Sequence, residues 1–285
     1  MNGIPVADAL KVERAGAFLL ITFNRPESRN SLDPDVIAAL DDVFDRAEGD
    51  EGLRAVAIRG AGPTFCAGGN FSKFGERMQA PAPTGDRGVD PIAQSNRRFG
   101  TFLERLQSFP KPVVVAAHGA AMGGGAGLVC AADIAIACAG TRFSFTEASL
   151  GLIPAQILPF VTARIGLQPA RRLTLTAERF EADEALRLGL VDFVAPDMDA
   201  LRDRLAQVLD RIGRCAPGAL AATKRLARRC GEATTAAGLS GVLDEAAAAF
   251  AVAMRSEAAE GIDAARGKRP PAWTATFDRT VLTDW

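Results

Sequence analysis

The chain has 285 residues, 48% of them hydrophobic and 24% charged, which is enough to bury a core without metals or disulfides and excludes global disorder. Its formal net charge of -1 argues against nucleic-acid binding, because proteins that bind phosphate backbones need basic surfaces. With one histidine, His118, a multi-histidine metal site is impossible.

The cysteines and the N-terminal residues indicate a cellular compartment. Five cysteines form no CxxC pair, and residues 1–11 resemble neither a signal peptide nor a transit peptide. No uninterrupted apolar run reaches the ~18 residues typical of a membrane span. We therefore expect a cytoplasmic protein with reduced thiols and no membrane partner.

Residues 17–145 alternate predicted strands and helices. The runs that predict strands are 17–23, 54–59, 113–117 and 134–138, and the helical patterns are 35–48 and 92–108. Asp33 and Pro34 are typical of a helix N-cap and a first helical residue. Short connections between such elements indicate βαβ-type units with mostly parallel strands. Residues 75–91 repeat proline and glycine and are expected to form a mobile surface loop.

The second half of the chain is mainly helical in pattern. Helical spacing dominates residues 156–189 and 197–267. The tail 268–285 is basic and then proline-rich, and it carries Trp273 and Trp285. This tail is too short to be a domain, and we expect it to dock on its own subunit or on a neighbouring one.

Two glycine-rich loops and one glutamate carry the possible chemistry. Residues 65–70 and 122–127 each follow a predicted strand, and the second loop opens a helix. Glycine lets backbone N–H groups approach a ligand closely, so two such loops can converge on one oxygen atom and form an oxyanion hole. Neither loop matches a P-loop or a dinucleotide-binding pattern. Glu147 lies among small and apolar residues and is a candidate acid/base.

Each of these features also has a structural interpretation. A triple glycine before a helix can serve close packing, and Glu147 can be a surface or helix-cap residue. His118 lies between a strand and Gly119 and is expected to be a hydrogen-bonded structural histidine. Arg25 can be a surface charge. Taken singly, the residues leave both interpretations open.

In their order along the chain, these segments resemble the crotonase superfamily, the enoyl-CoA hydratase/isomerase family. The resemblance covers nearly the whole chain. Its segments are ITFNRP at 21–26, NSL at 30–32, FCAGGN at 65–70, HGAAMGGGAGL at 118–128, ADI at 132–134, Glu147 with LGLIP at 150–154, and Ala185 with GLV at 189–191.

The resemblance implies an α/β fold in which repeated ββα units form a spiral, followed by a helical C-terminal region used for trimerisation. We accordingly expect a spiral core over residues 1–200 and a helical region with the tail over 201–285. A homotrimer or a dimer of trimers that acts on an acyl-CoA is also implied. No metal, no nucleic acid and no cofactor besides the CoA of the substrate are expected.

Residue roles follow from the same resemblance. The amides of Gly69 and Gly124 are expected to hold the thioester oxygen, and Glu147 to be the general acid/base. The other residues implied in substrate or CoA binding are Arg25, Arg29, Ser31, Ala67, Asn70, Phe71, Lys73, Gly123 and Pro154. Lys268 of a neighbouring subunit is a further candidate for the CoA phosphates.

One departure from the family pattern bears on the mechanism. Hydratases with two catalytic glutamates carry the first in the helix after the triple glycine, where this chain has Gly127. We therefore expect a hydratase with a single catalytic glutamate, and a delta-isomerase or a non-catalytic acyl-CoA-binding protein as alternatives. Residues 150–161 resemble the methylglutaconyl-CoA and isohexenylglutaconyl-CoA hydratases, which favours a branched or longer 2-enoyl-CoA. Its acyl chain is expected to contact residues 75–98 and 157–161.

Overall fold

The computed structural model describes residues 9–70, 90–233 and 235–283. The strands are β1 (Leu10–Ala15), β2 (Phe18–Phe23), β3 (Ala55–Gly60), β4 (Val113–Ala117), β5 (Ala120–Met122), β6 (Ile134–Cys138), β7 (Arg142–Ser144), β8 (Phe180–Glu181) and β9 (Phe193–Ala195). The helices are α1 (Pro34–Glu48), α2 (Pro91–Ser108), α3 (Gly124–Ala131), α4 (Leu158–Ile165), α5 (Leu167–Thr176), α6 (Ala182–Arg187), α7 (Met198–Gly213), α8 (Pro217–Glu232), α9 (Ala236–Arg255) and α10 (Glu257–Arg266).

The strands form two sheets. The larger has the order β1-β2-β3-β4-β6-β9, and its neighbours pair in parallel except for β1 and β2, which are antiparallel. The smaller has the order β5-β7-β8. Strands β2, β3 and β4 are buried along their whole length, as expected of parallel strands covered on both faces. This mixed architecture confirms the predicted α/β fold class.

Helices cover both faces of the larger sheet. On one face, Ile21 of β2 belongs to a core that includes buried residues of α1, α2 and α3. On the other face, Leu20 packs in a second core with Leu205 and Leu209 of α7. Successive side chains of a strand point to opposite faces, so neighbouring residues of β2 enter different cores.

The sheet brings the two glycine-rich loops together. Strands β3 and β4 are parallel neighbours, with Val56 opposite Val113 and Ile58 opposite Val115. The carboxyl ends of parallel strands meet at the same edge of a sheet. The loop after β3 and the segment after β4, which contains β5 and the start of α3, therefore begin side by side.

The main elements predicted from the sequence are present. The expected strands at 17–23, 54–59, 113–117 and 134–138 correspond to β2, β3, β4 and β6, and the expected helices at 35–48 and 92–108 correspond to α1 and α2. Asp33 caps α1 as predicted, because the amide of Val36 donates to its carboxylate at 2.9 Å. Of the loop predicted at 75–91, Asp90 caps α2 and Pro91 begins it, and the remainder lies outside the described residues.

The sequence did not predict the edge strand β1 or the shortest strands. Strand β1 carries charged, partly exposed residues and pairs only with β2 at the edge of the sheet. Strand β5 lies inside the segment expected to be a glycine loop, and β8 interrupts the region 156–189 that was expected to be mainly helical. Strands of two or three residues are too short to show a period of two.

The predicted domain boundary falls inside a helix. Helix α7 begins at Met198 and packs on the larger sheet through Leu201 and Leu205. The predicted division after residue 200 stays a prediction. In the structure it would cut α7 between its first three residues and Leu201, the first buried side chain by which this helix packs on the sheet.

The tail docks on its own subunit, one of the two predicted outcomes. The indole N–H of Trp273 donates to the carbonyl of Arg214 at 3.1 Å. The ring of Phe277 packs edge-on against Phe18 of β2, with ring centroids 5.5 Å apart. Trp285 lies outside the described residues.

Helix α9 is unusual among the described helices for its exposed apolar residues. Its length and its mean hydropathy of 1.4 would allow it to cross a membrane by composition alone, and only 6% of the apolar window is buried. Leu239, Leu243, Phe250 and Met254 are between 48% and 69% exposed. Their spacing places them on one face of the helix, so a continuous apolar stripe is left without a partner in the described part of this chain.

Candidate active site

The loop after β3 is fixed by backbone hydrogen bonds on both sides. The amide of Cys66 donates to Ala120 at 3.1 Å, and the amide of Leu32 donates to Gly68 at 2.7 Å. Gly68 has a φ of +87°, and a Cβ atom on it would lie 2.6 Å from the carbonyl oxygen of Met122. Glycine is required at this position, because both the backbone conformation and the approach to the second loop exclude a side chain.

The second loop leads directly into helix α3. The amide of Gly123 donates to Ser144 at 2.9 Å, and α3 begins at Gly124. The amide nitrogen of Gly124 lies 3.4 Å from the position that a Cβ on Gly68 would take. The two loops are therefore in contact. The first amides of a helix have no partner within the helix and carry partial positive charge.

Two predicted oxyanion donors are available at this contact. Within the ranges that the structure describes, the amides of Gly69 and Gly124 donate to no other part of the chain. Both residues line the same cavity, of about 1080 Å³. A pair of unpaired amides in adjoining loops can hold an oxygen atom that gains negative charge.

Glu147 enters this cavity from the turn after β7. It begins a 3-10 turn, and its Oε1 atom lies 3.0 Å from the position that a Cβ on Gly123 would take. Its Oε2 atom is buried and has no hydrogen-bond partner. Burial raises the pKa of the Glu147 carboxyl, with a smaller opposing effect of a backbone hydrogen bond. A carboxyl group with a raised pKa is suited to both take up and release a proton near neutral pH.

Helix α3 has an apolar contact at position 127, where the family resemblance implies the first glutamate of a two-glutamate hydratase. A Cβ atom on Gly127 would lie 2.4 Å from Cγ2 and 3.1 Å from Cβ of Ile157. Ile157 is buried and lines the cavity. Ile157 thus occupies the space into which a side chain at position 127 would project.

The remaining predicted binding residues separate into three groups. Ala67, Gly123 and Pro154 line the cavity, together with Gly69, Gly124 and Glu147. Four others, described but outside the lining, are Arg25, Arg29, Ser31 and Asn70. Phe71 and Lys73 lie outside the described residues. Lys268 follows the end of α10 with a φ of +50°, and its expected contact with a neighbouring subunit stays a prediction.

The segment around Arg25 supports the first loop. The Arg25 guanidinium donates to Asp33 at 2.9 Å. Asn30, in a left-handed conformation, donates from its amide to the carbonyls of Ala61 and Thr64. The amide of Ala67 donates to the carbonyl of Arg29 at 3.0 Å. These bonds fix residues 25–30 against the loop that carries Gly69.

His118 has the structural role that the sequence predicted. Its Nε2 atom is 2.7 Å from the carbonyl oxygen of Gly62, and its ring is buried. Burial lowers the pKa of the His118 imidazole. The ring does not line the cavity that contains Glu147, so it is not placed to act there.

Sequence reasoning missed several residues of the cavity wall. Leu32 and Phe99 approach the position of a Cβ on Gly124 at 3.2 and 3.4 Å. Gln156 donates to Asn96 at 2.9 Å and closes one side of the cavity between α2 and the 151–157 segment. The expected contact of the acyl chain with 75–98 and 157–161 stays a prediction. Of these regions, the residues that line the cavity are Asp90, Ile92, Ala93, Ser95, Asn96, Arg98 and Ile157, whereas 158–161 do not line it and 75–89 lie outside the described residues. Phe99 could have been predicted from the apolar face of α2, because apolar residues on the inner face of a helix can line a pocket as well as a core.

Comparison with known proteins gives a consistent result. The family model described as enoyl-CoA hydratase/isomerase matches residues 13–276. The (E)-benzylidenesuccinyl-CoA hydratase of Thauera aromatica is 36% identical, with 73% of this chain and 77% of that protein covered. The chain belongs to the enoyl-CoA hydratase/isomerase family. Members of this family act on acyl-CoA substrates, so this chain is a lyase or isomerase of that family.

Solved structures of the family confirm the fold. An enoyl-CoA hydratase/isomerase from Marinobacter aquaeolei superposes with a TM-score of 0.88 at 42% identity, over 94% of this chain and 99% of that one. Pseudomonas aeruginosa AtuE superposes with a TM-score of 0.87 at 43% identity, over 94% of this chain and all (100%) of that one. The fold of this chain is therefore the fold of these two solved structures.

Proposed function

We propose that the protein is an enoyl-CoA hydratase that adds water to a branched or longer 2-enoyl-CoA and uses Glu147 as its one catalytic carboxylate. The observation that carries this proposal is the Glu147 carboxyl itself. It has an unpartnered, buried Oε2 atom and a raised pKa, and it lines the same cavity as the Gly69 and Gly124 amides. A general acid/base is thus next to the donors that an enolate oxygen requires.

The reaction follows from the roles of these groups. The two amides donate to the thioester oxygen as negative charge develops on it, and removal of one such donor typically costs ~10²–10³ in rate. Glu147 takes a proton from water while the water oxygen bonds to Cβ, and the same proton is delivered to Cα. One water is consumed, the C=C bond becomes a single bond, and the carboxylate is restored.

Delta-isomerisation is the second candidate reaction. It is favoured by the contact between Gly127 and Ile157, which leaves an apolar wall where a second carboxylate would otherwise stand. Glu147 alone would then move a proton between Cα and Cγ, without a water. A non-catalytic acyl-CoA-binding protein is a third hypothesis, and it is disfavoured because both the amides and the carboxylate are present.

An absorbance assay distinguishes these reactions. Crotonyl-CoA, 3-methylglutaconyl-CoA, a longer branched 2-enoyl-CoA and a 3-enoyl-CoA are each incubated with the protein, and the conjugated enoyl-thioester band is followed. Loss of the band with a 2-enoyl ester, abolished in Glu147→Gln, supports the hydratase. Gain of the band from the 3-enoyl ester alone supports the isomerase. No change with any ester leaves either a different acyl chain or binding without catalysis.

The CoA moiety, the compartment and the assembly complete the proposal. The segment from Arg25 to Ser31 and the backbone near Ala67 would bind the adenine and ribose, and no cofactor besides the substrate's CoA would be needed. We place the protein in the cytoplasm. The exposed apolar stripe on α9 favours a homotrimer or a dimer of trimers, because apolar surface of this kind is buried in subunit interfaces.

Light scattering after size exclusion tests the assembly. The wild type is expected to have the mass of three or six chains. Leu243→Glu with Phe250→Glu places two carboxylates in the stripe and is expected to lower the mass to that of one chain. Arg255→Glu, at the end of the same helix, is the control for a change of charge alone. A wild-type monomer would contradict the proposal.

A further inference from the structure

Thr146 occupies an N-cap position without acting as a cap. It immediately precedes the 3-10 turn that Glu147 begins, and its side chain accepts no hydrogen bond from that turn. Threonine at such a position normally uses its hydroxyl oxygen to satisfy a free amide. Here the side chain lines the cavity instead. Among the described residues its hydroxyl has no hydrogen-bond partner.

The Thr146 hydroxyl and the Glu147 carboxylate face the same place. The atoms nearest to the position of a Cβ on Gly123 are Oε1 of Glu147 at 3.0 Å, Oγ1 of Thr146 at 3.5 Å and Cδ of Glu147 at 3.6 Å. Gly123 has no side chain, so the space in front of these two oxygens stays open. It adjoins Gly124, whose amide is a proposed oxyanion donor.

Among the residues that the structure describes, the α3 side of the cavity offers no comparable polar side chain. At position 127 the chain has glycine, and Ile157 fills the adjacent space. A water molecule held by Glu147 alone would have one hydrogen-bond partner among these side chains. An attacking water is oriented only if a second group fixes its remaining proton or lone pair.

We propose that Thr146 supplies this second contact and positions the attacking water for Glu147. The hydroxyl donates a hydrogen bond to the water oxygen or accepts one from the water's second O–H, which stays intact, while Glu147 accepts the proton that is transferred. Oxygen then adds to Cβ and the proton reaches Cα, so Thr146 gains and loses nothing over the cycle. This inference rests on the proposed hydratase function.

Three variants at one position test the proposal. Thr146→Val keeps the shape and removes the hydroxyl, Thr146→Ser keeps the hydroxyl, and Thr146→Ala serves if valine disturbs folding. Thr176→Val is the matched control, because the Thr176 hydroxyl donates to the carbonyl of Arg172 and accepts from the amide of Glu178, and Thr176 does not line the cavity. For each protein, kcat and KM are measured with whichever of crotonyl-CoA, 3-methylglutaconyl-CoA and the longer branched 2-enoyl-CoA the wild type hydrates. The Kd of butyryl-CoA, which cannot react, is measured alongside.

The expected result separates positioning from structure. Thr146→Val is expected to lower kcat by ~10-fold or more, the effect of one lost hydrogen bond, and to leave KM and the butyryl-CoA Kd unchanged. Thr146→Ser restores kcat to within about 3-fold of the wild type. Unchanged kcat in Thr146→Val or Thr146→Ala overturns the inference and leaves the hydratase proposal intact. So does an equal loss in the serine variant. A wild type that hydrates none of the three 2-enoyl esters overturns both this inference and the proposed hydration of a branched or longer 2-enoyl-CoA.

Discussion

The contact between Gly127 and Ile157 predicts that Gly127→Ala destabilises the protein, although replacing a helical glycine by alanine usually stabilises it. Gly127 lies inside α3, where replacement of glycine by alanine normally stabilises by ~1 kcal/mol. The added Cβ would lie 2.4 Å from Cγ2 of Ile157, far inside the ~3.5–4.0 Å of an optimal carbon contact. Overpacking of this kind typically costs ~1–3 kcal/mol. We expect the contact to prevail, so Gly127→Ala lowers the free energy of unfolding by up to ~2 kcal/mol.

A double-mutant cycle identifies the cause of this loss. Ile157→Ala alone removes buried methyl groups and is expected to cost ~2–5 kcal/mol. In that background the Cβ added at position 127 has space, so Gly127→Ala becomes neutral or stabilises by up to ~1 kcal/mol. The coupling between the two substitutions is then favourable by ~1–3 kcal/mol. Urea unfolding followed by circular dichroism measures all four proteins. A stabilised Gly127→Ala in the wild-type background would refute the reasoning.

Other predictions follow from single contacts. Glu147→Gln is expected to lower kcat by ~10²–10⁴ and to leave the butyryl-CoA Kd unchanged, as measured by absorbance kinetics and calorimetry. Because burial raises the pKa of folded Glu147, the native state holds its proton above the ordinary pKa, and wild-type stability falls relative to Glu147→Gln as pH rises through the raised pKa. Unfolding of both proteins from pH 4 to 8 checks the sign, and parallel curves would contradict it. Gly68→Ala is expected to destabilise by ~1–3 kcal/mol, because its φ is positive and its Cβ would meet the carbonyl of Met122, and thermal unfolding checks this. Lys224→Met removes the cation that contacts the partly exposed Asp133 carboxylate at 2.7 Å and leaves the hydrogen bond from the Val113 amide, so a loss of ~1–3 kcal/mol is expected, with a smaller loss in the double variant with Asp133→Asn.

The sequence predicted the parts of the fold that have a visible period. The buried strands and the first two helices repeat apolar residues over five or more positions, and Asp33-Pro34 marks the start of α1. Strands β5, β8 and β9 have three residues or fewer and are fixed by their neighbours, so their sequences carry no signal. Strand β1 was not predicted because it is an edge strand. Its charged, partly exposed residues do not form the apolar run that is typical of a buried strand.

The candidate site was predicted in part for a similar reason. The two glycine-rich loops are visible in the sequence, and the positive φ of Gly68 and Gly123 is the physical reason that glycine occurs there. Glu147 is visible as a charged residue among small and apolar ones. Ile157 and Phe99 are ordinary apolar residues, and nothing local indicates that they contact Gly127 and Gly124. Their role arises only when α2 and the segment before α4 pack against α3.

The geometry of the oxyanion donors depends on backbone bonds rather than on side chains. Isolated bridges pair Leu32 with Gly69 and Cys66 with Ala121, and they join three segments that are distant in sequence. Since these bonds use main-chain atoms, substitutions that keep volume at Leu32 or Cys66 leave the amides in place. Glu147 is different, because its carboxylate depends on one turn and on the empty space above Gly123. Evolution of the reaction in this fold is therefore expected to act on the turn and the cavity wall, where Thr146 and Ile157 lie, while the two amides stay fixed.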